Sequence, residues 1–392
     1  MPDGPNSVLI AALSARALAA AARRAGYRPF VLDLFGDRDT RELAEDCRRV
    51  SGDVISGFEE AGLLAAAAAT AEGLDRPALV YGAGFEDRAP LLAALARGRR
   101  LLGNAPDVVA ALKDPISFAA LCRRLGIAHP ETRCSPPADH AGWLVKRAGA
   151  SGGWHVMRAT SSAALQPASY FQVFVRGRQV SASFLADGRS ALTLGFSESW
   201  PAEGIGPSFL FGGALRPATI AASLARTIEA QLAALVAETG LIGLNSADFI
   251  VDGDGPWLIE VNPRPGATLD IFDAGIPPGL FAWHCRACDG RLPERQPALR
   301  RCAGIQVVYA PQAIAVPLDL HWPVWTMDRP HAGASIRQGE PVCTVRATGG
   351  SGHEVRTCLQ ERAARVLELL AAQRSALGRA IEQTATPLAV SP

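Results

Sequence analysis

Apolar and polar positions follow two rhythms along this chain. From residue 7 to 105, short apolar runs without a polar face alternate with longer Ala- and Leu-rich stretches. SVLIAAL (7–13), RPFVLDL (28–34), VISGFE (54–59), PALVYGAG (77–84) and RRLLGN (99–104) read as strands with their turns, and LAAAARRAGY (18–27) as a helix closed by Gly26. Strands apolar on both faces, with helices between them, predict an open parallel α/β sheet. Ligands of such sheets bind past the strand ends, so Gly84, Phe85 and Glu86 are candidate substrate contacts. A competing reading makes Glu86 a helix N-terminal acid held by the helix dipole.

The second rhythm is helical and then two-residue. DVVAALKD (107–114) and ISFAALCRRLG (116–126) predict a helical connector. WLVKRAGASGGWHVMRA (143–159) and SYFQVFVRGRQVSASFLADG (169–188) each read as strand, Gly turn, strand. Residues 218–239 predict a helix stopped by Gly240, and a β-rich tail with a final helix near 358–383 follows residue 300. Four units are expected: a Rossmann-like domain (1–105), a lid subdomain with a Gly-rich loop (106–175), a core with a metal site (176–295), and a β-rich C-terminal subdomain with a helix (296–392). At 392 residues, two or more packed units are in any case required.

The most informative segment is LNSADFIVDGDGPWLIEVNPRPG (244–266), two strands around a turn at Asp252 to Pro256. A symmetric loop centred on Asp254 sets Asp248 opposite Glu260 and Ser246 opposite Asn262. On the other face it sets Phe249 opposite Ile259 and Val251 opposite Trp257. Two carboxylates facing each other destabilise a hairpin unless a cation lies between them. With the Asn262 amide oxygen they form a hard donor set suited to magnesium, or manganese, beside phosphate oxygens. Arg264 is two residues further on the same face, placed to reach a phosphate.

Charge sharpens this picture. Of 39 basic residues only Lys113 and Lys146 are lysines, leaving 39 − 2 = 37 arginines. In a chain that otherwise uses arginine, the two lysines mark places needing a compact ammonium. Lys146 lies on the WLVK strand, followed by Gly149, Ser151, Gly152 and Gly153, a loop able to bring backbone N–H groups close to phosphates. The order is not that of a P-loop. The net charge of +1 gives no electrostatic case for nucleic acid or an anionic membrane. With no apolar run of about 18 residues, a cytoplasmic protein without disulfides is expected. The Cys285, Cys288 pair has no second pair at zinc spacing, so it reads as helix packing.

Taken together, these residues resemble the ATP-grasp superfamily. The resemblance implies that Lys113, Lys146 and loop 149–153 contact nucleotide phosphates. It implies that the connector Gln172, Val173, Phe174, Val175 holds adenine, that Gln179 holds the ribose, and that Asp248, Glu260 and Asn262 bind magnesium with Arg264 alongside. Two positions depart from the family pattern: Gln179 stands where glutamate is usual, and Val173 where an acid is common. Ser246 stands where D-alanine ligases carry arginine, which disfavours that activity. SARALAAAARRAGY, YGAGFEDR, LLGNAP and IRQGEPVCTVRATG resemble carboligases related to tyramine–glutamate ligase, of furan-type one-carbon coenzyme synthesis.

The implied chemistry is ATP-dependent joining of a small carboxylate to an amine through an acyl phosphate, with Lys146, Asn262 and Arg264 at the reacting phosphate. Gly212 and Gly213 are further candidate substrate contacts, closure of residues 147–155 would exclude water, and a homodimer is compatible with the pattern. Two alternatives stand: a non-catalytic ATP-binding module, and a biotin-type carboxylase using bicarbonate. Any biotin carrier would be a separate chain, since no lysine follows residue 146.

Overall fold

The computed structural model describes residues 7–70, 77–160, 167–253, 255–273 and 276–384. The N-terminal sheet has five parallel strands in the order Asp46–Arg49, Arg28–Asp33, Ser7–Ala12, Ala78–Tyr81, Leu101–Leu102. Along its central strand Val8, Ile10 and Ala12 enter one core, while Leu9 and Ala11 enter another. Burial on both faces is why the strand reads as an unbroken apolar run. Asp46–Arg49 (DCRR) is an edge strand too polar to be read from sequence. The VISGFE strand is corrected to a short hairpin, Gly52–Asp53 with Gly57–Phe58. Strand order reverses at Ser7–Ala12, which opens a crevice between the loops after Ser7–Ala12 and Ala78–Tyr81.

Helices Pro106–Lys113 and Pro115–Arg124 follow, separated by Asp114, whose carboxylate caps the second by accepting from Ser117 N–H at 2.7 Å. The next sheet is antiparallel, in the order Met157–Arg158, Trp143–Arg147, Ser169–Val173, Thr132–Arg133. The expected strand, Gly turn, strand at 169–188 is not a hairpin. Ser169–Val173 stays in this sheet, Arg178–Asp187 enters the next, and residues 174–177 cross between them.

The largest sheet has eight strands: Gly255–Asn262, Ile242–Asp252, Arg178–Asp187, Ala191–Pro201, Phe211–Arg216, Cys302–Tyr309, Pro341–Gly349, Thr326–Met327. The boundary expected at 295/296 thus falls inside one continuous sheet, because Phe211–Arg216 pairs with Cys302–Tyr309. Ala182, Phe184, Ala247, Phe249, Leu258 and Val261 pack under helix Ala222–Thr239, which ends at Gly240 with φ +68°. Helix Gly352–Thr384 covers the strands Cys302–Tyr309 and Pro341–Gly349 through Val355, Leu359 and Val366. Among the described residues no helix is long and apolar enough to cross a membrane.

Two buried polar residues dock the N-terminal domain on the core. Asn104 donates to Asn245 Oδ1 and the Pro263 carbonyl, both at 2.8 Å, and accepts from Ile242 N–H at 2.8 Å. His284, on helix Leu280–Cys288, accepts at Nδ1 from Leu244 N–H at 2.9 Å and meets the Leu102 carbonyl with Nε2 at 3.1 Å. That pattern requires a neutral ring protonated at Nε2. Cys285 and Cys288 share this helix, and among the described residues no group of three or more His, Cys, Asp or Glu is arranged to hold a metal.

Burial pushes the His284 imidazolium down to about 4, from the usual value near 6.5. The unfolded chain therefore binds a proton that the fold refuses, so stability falls as pH drops from about 6.5 to about 4. This group's share is on the order of 3 kcal/mol once both values are passed. The denaturation midpoint is expected to fall between pH 7.5 and pH 4.5, and to fall less in His284→Gln. An equal fall in the variant would assign the pH dependence elsewhere.

Candidate functional site

Asp248 pairs with Glu260, and Ser246 with Asn262, as the symmetric turn predicts. The other face differs: Phe249 is opposite Leu258 and Val251 opposite Pro256, with Ile259 as a β-bulge. The turn is tighter than expected, since Asp252 pairs with Gly255, and the bulge restores the register at the acids. Asp254, the expected centre, lies outside the described residues. Ile259 and Ile250 turn with the acids into one cavity of about 1110 Å³, while Phe249 and Leu258 seal the core beneath. Ser181, across from Asp248 on the neighbouring strand, adds a hydroxyl beside that carboxylate.

The lysines converge on the acids from two directions. Lys113, at the end of helix Pro106–Lys113, places its ammonium 2.9 Å from Asn262 Oδ1 and 3.3 Å from Glu260 Oε2. It is a buried counter-charge behind the hairpin and is not part of the cavity wall. Lys146 lies on the wall beside Leu144, and its ammonium donates to Gln172 Oε1 at 2.8 Å. Burial pulls the Lys146 ammonium below its usual range. Burial alone would raise Glu260, but Lys113 and Lys146, with a hydrogen bond from Asp248, outweigh it and hold Glu260 ionised well below the usual carboxylate range. Asp248 is pushed up by burial and by Glu260. The pair thus holds one firm negative charge and one labile proton, which a divalent cation would displace. The Glu260 side chain is 42% exposed and lines the cavity, so a cation could reach it. Two carboxylates and an amide oxygen at a water-accessible cavity floor fit magnesium that completes its shell with phosphate oxygens.

Gln172, Val173, Phe174, Val175 and Gln179 line the same cavity. At that end Phe174 lies 6.2 Å from Phe209, and the Arg158 guanidinium sits 3.6 Å from the Phe174 ring centroid. Ser151, Gly152 and Gly153 also line it, with Trp154 and His155, which the sequence reading passed over although both sit in the Gly-rich loop. Burial takes the His155 imidazolium down to about 4, so the ring facing this charge cluster is neutral.

The substrate contacts expected in the N-terminal domain need correction. Phe85 is fully buried core, and Glu86 lies behind the wall, accepting from Gly84 N–H at 2.7 Å, Phe85 N–H at 3.0 Å and Arg264 Nε at 2.5 Å. Glu86 therefore holds Arg264 in place on the wall, and neither Gly84, Phe85 nor Glu86 reaches the cavity. Leu13, Ser14, Arg16, Gly82 and Ala83 do, from the crevice where the strand order reverses. Gly212 and Gly213 are likewise internal to the sheet: a Cβ there would meet the Pro201 backbone at 2.6 Å or the Ile305 carbonyl at 2.5 Å. Their neighbours Phe209 and Phe211 line the cavity instead.

The Gly-rich loop is closed down on both sides. Gly149 lies against Asp87, where a Cβ would come within 2.6 Å of the backbone nitrogen, and Gly152 C=O accepts from Phe211 N–H at 3.0 Å. Gly153, at φ +80°, sits so close to the Phe209 carbonyl that a Cβ would overlap it. Gly153→Ala should therefore release the loop. The φ penalty alone is about 1–2 kcal/mol, or roughly tenfold in the open population. Limited proteolysis within residues 147–158 is expected to speed up by that factor relative to Gly98→Ala, a left-handed site with no close neighbour. Equal cleavage rates would show that the loop is not held at Phe209.

A family model described as an ATP-grasp domain matches residues 117–268. The large chain of carbamoyl phosphate synthase from Deinococcus deserti is 27% identical over 205 residues, 46% of this chain and 20% of that protein. The chain thus spans only a fifth of the curated relative it matches. Among solved structures, an L-amino acid ligase from Bacillus licheniformis superposes with a TM-score of 0.67 at 15% identity, covering 92% of this chain and 97% of the other. The biotin carboxylase domain of Hydrogenobacter thermophilus 2-oxoglutarate carboxylase, solved with MgADP, ADP and bicarbonate, gives 0.68 at 11% identity over 88% and 86%. Residues 117–268 thus match an ATP-grasp domain, and the chain shares the fold of these solved structures over nine-tenths of its length.

Proposed function

We propose that this chain is an ATP-dependent ligase that joins a carboxylate to an amine through an acyl phosphate. The observation that carries the reading is a facing carboxylate pair on the floor of a cavity that also holds Lys146, the Gly-rich loop and the 172–175 connector. In this reading, Phe174 and Val175 flank the adenine and Gln179 meets the ribose. Lys146 and the Ser151 to Gly153 backbone hold phosphates, and Arg264, fixed by Glu86, meets the transferring phosphoryl group. Asp248, Glu260 and Asn262 would hold magnesium, which when bound supplies charge neutralisation at the phosphates.

A substrate carboxylate oxygen attacks the γ-phosphorus and the bond to the ADP oxygen breaks, giving the acyl phosphate. The amine nitrogen then attacks the acyl carbon, phosphate departs with the bonding pair, and the nitrogen gives up a proton. The closed Gly-rich loop keeps water from the acyl phosphate between the two steps. The closed packing of Gly152 and Gly153 on Phe209 and Phe211 supports this role. The finer reading is addition of glutamate or a similar amino acid to an amine in one-carbon coenzyme synthesis, of methanofuran, methylofuran or pterin type. It is supported by the N-terminal and C-terminal motifs alone.

ADP release with ATP and magnesium, measured across a panel of carboxylates with and without amines and with a bicarbonate arm, tests the proposal. ADP formation is expected to require both a carboxylate and an amine, and to fall by about 10²-fold or more in Glu260→Gln and in Lys146→Ala. Tight ATP binding with no substrate-dependent ADP would sink the ligase reading, and turnover on bicarbonate without an amine would replace it with a carboxylase.

A further inference from the structure

The cavity has a second side, where the N-terminal domain meets the loop after Thr326–Met327. Five aspartates surround it, and four are fully engaged. Asp33 accepts from Ala15 N–H at 2.7 Å and from Phe35 N–H at 2.8 Å. Asp39 accepts from Asp328 N–H at 2.9 Å and Arg329 N–H at 2.8 Å. Asp328 and Asp270 share Arg16, which donates from Nε to the first at 2.9 Å and from its terminal nitrogens to the second. Arg16 directs three of its five N–H groups to these two acids, and no hydrogen bond runs from it to Asp37 among the described residues. Arg41 and Arg49 turn to the carbonyls of Gly36 and Leu34.

Asp37 is the exception. It occupies the N-cap position of helix Arg38–Leu43, yet its carboxylate does not cap the helix. It is only 8% exposed, it lines the cavity, and it has no hydrogen-bond or ion-pair partner among the described residues. Its charged neighbours are Asp328, Asp33 and Asp39, with Arg16 as the opposing cation, and burial together with the three acids drives its carboxyl well above the usual range. A buried carboxylate without a partner is costly, and it persists where a ligand supplies the missing charge. A metal is the poorer candidate, because the neighbouring carboxylates are already spent on N–H donors and Arg16, and among the described residues no three His, Cys, Asp or Glu side chains converge to hold one here. An ammonium needs one free carboxylate and contributes up to three donors.

We infer that Asp37 is the recognition site for the ammonium group of the amine co-substrate, on the side of the cavity formed by the N-terminal domain and Asp328. This rests on the ligase reading for the identity of the ligand as a co-substrate, but binding itself is independent of turnover. The amine would enter past Ser14 and Arg16, along the crevice where the strand order of the parallel sheet reverses, and lose its proton only on advancing to the acyl carbon.

The test is calorimetric titration of the full chain with benzylamine, tyramine, putrescine and glycine, each beside its N-acetylated form, and separately with ATP and magnesium. At least one amine is expected to bind wild type and its acetylated form not to. Asp37→Asn should weaken that binding about tenfold or more, Asp37→Glu should retain most of it, and the nucleotide affinity should be the same in all three proteins. Asp37→Asn replaces a buried, unpartnered carboxyl that the fold makes costly to ionise, so the ligand-free variant should also melt at a higher temperature than wild type. Amine binding unchanged in Asp37→Asn, equal binding of the acetylated forms, no amine binding beside normal nucleotide binding, or a lower melting temperature would each overturn the inference. Asp37-dependent amine binding in a protein that neither binds nor cleaves ATP would leave the inference standing and remove the ligase reading.

Discussion

Two carboxylates facing each other across one hairpin set the terms for much of this molecule. Asp248 and Glu260 cannot both be charged in a low-dielectric setting unless positive charge is near. The fold provides it from both sides: Lys113 from behind, at the junction of two helices, and Lys146 from the strand across the cavity. Asn262 ties the pair together by donating to Asp248 Oδ2 at 3.1 Å. The helices of the connector and the antiparallel sheet of the Gly-rich loop are therefore bound to the hairpin electrostatically as well as by packing. An acid pair arranged in this way is costly to the resting fold and valuable for holding a cation.

The cavity is a product of three separately formed parts. The parallel sheet contributes Leu13 to Arg16 and Gly82, the Gly-rich loop contributes Ser151 to His155, and the eight-stranded sheet contributes the acids. Asn104 and His284 fix the first part on the third through buried hydrogen bonds, and both use backbone groups of the strand or loop that flanks the acids. Because the ligand-binding surfaces come from different parts, small rotations between them change the cavity's shape without unfolding any of them. Glu86 shows the same economy: it lies outside the cavity and acts by fixing Arg264, which lies on its wall.

The distribution of charge divides the cavity into two sides. At the floor, lysines, an arginine and a neutral His155 surround an acid pair suited to anionic ligands with their metal. On the N-terminal-domain side Arg16 is shared by Asp328 and Asp270, and Asp37 is left without a partner among the described residues. Opposite electrostatic preferences within one cavity suit a reaction whose partners carry opposite charge.

Local chemistry determined much of this before any fold was known. The unbroken apolar run at residues 8–12 called for a sheet covered on both faces, and the spacing of Asp248, Glu260 and Asn262 around a Gly-Asp turn predicted that they share one face of a hairpin. The rarity of lysine singled out Lys113 and Lys146, and both converge on that hairpin. Long-range pairing decided the rest. Whether 169–188 was a hairpin or a crossing between sheets, and whether the tail after residue 300 was separate, depended on partners 55 to 93 residues away (Asp187 with Ile242, Gly213 with Gln306), which no local period encodes. The β-bulge at Ile259 came from a turn one step tighter than symmetry suggested. Glu86 and Gly213 looked available from sequence because loops and glycines usually are, but burial against Arg264 and against Trp200 could be set only by the assembled sheets. Asp37 was invisible in sequence for the converse reason. An aspartate before a short helix reads as an ordinary cap, and only the tertiary arrangement, by aiming Arg16 at Asp328 and Asp270 and Arg41 and Arg49 at backbone carbonyls, left this one facing the cavity alone among the described residues.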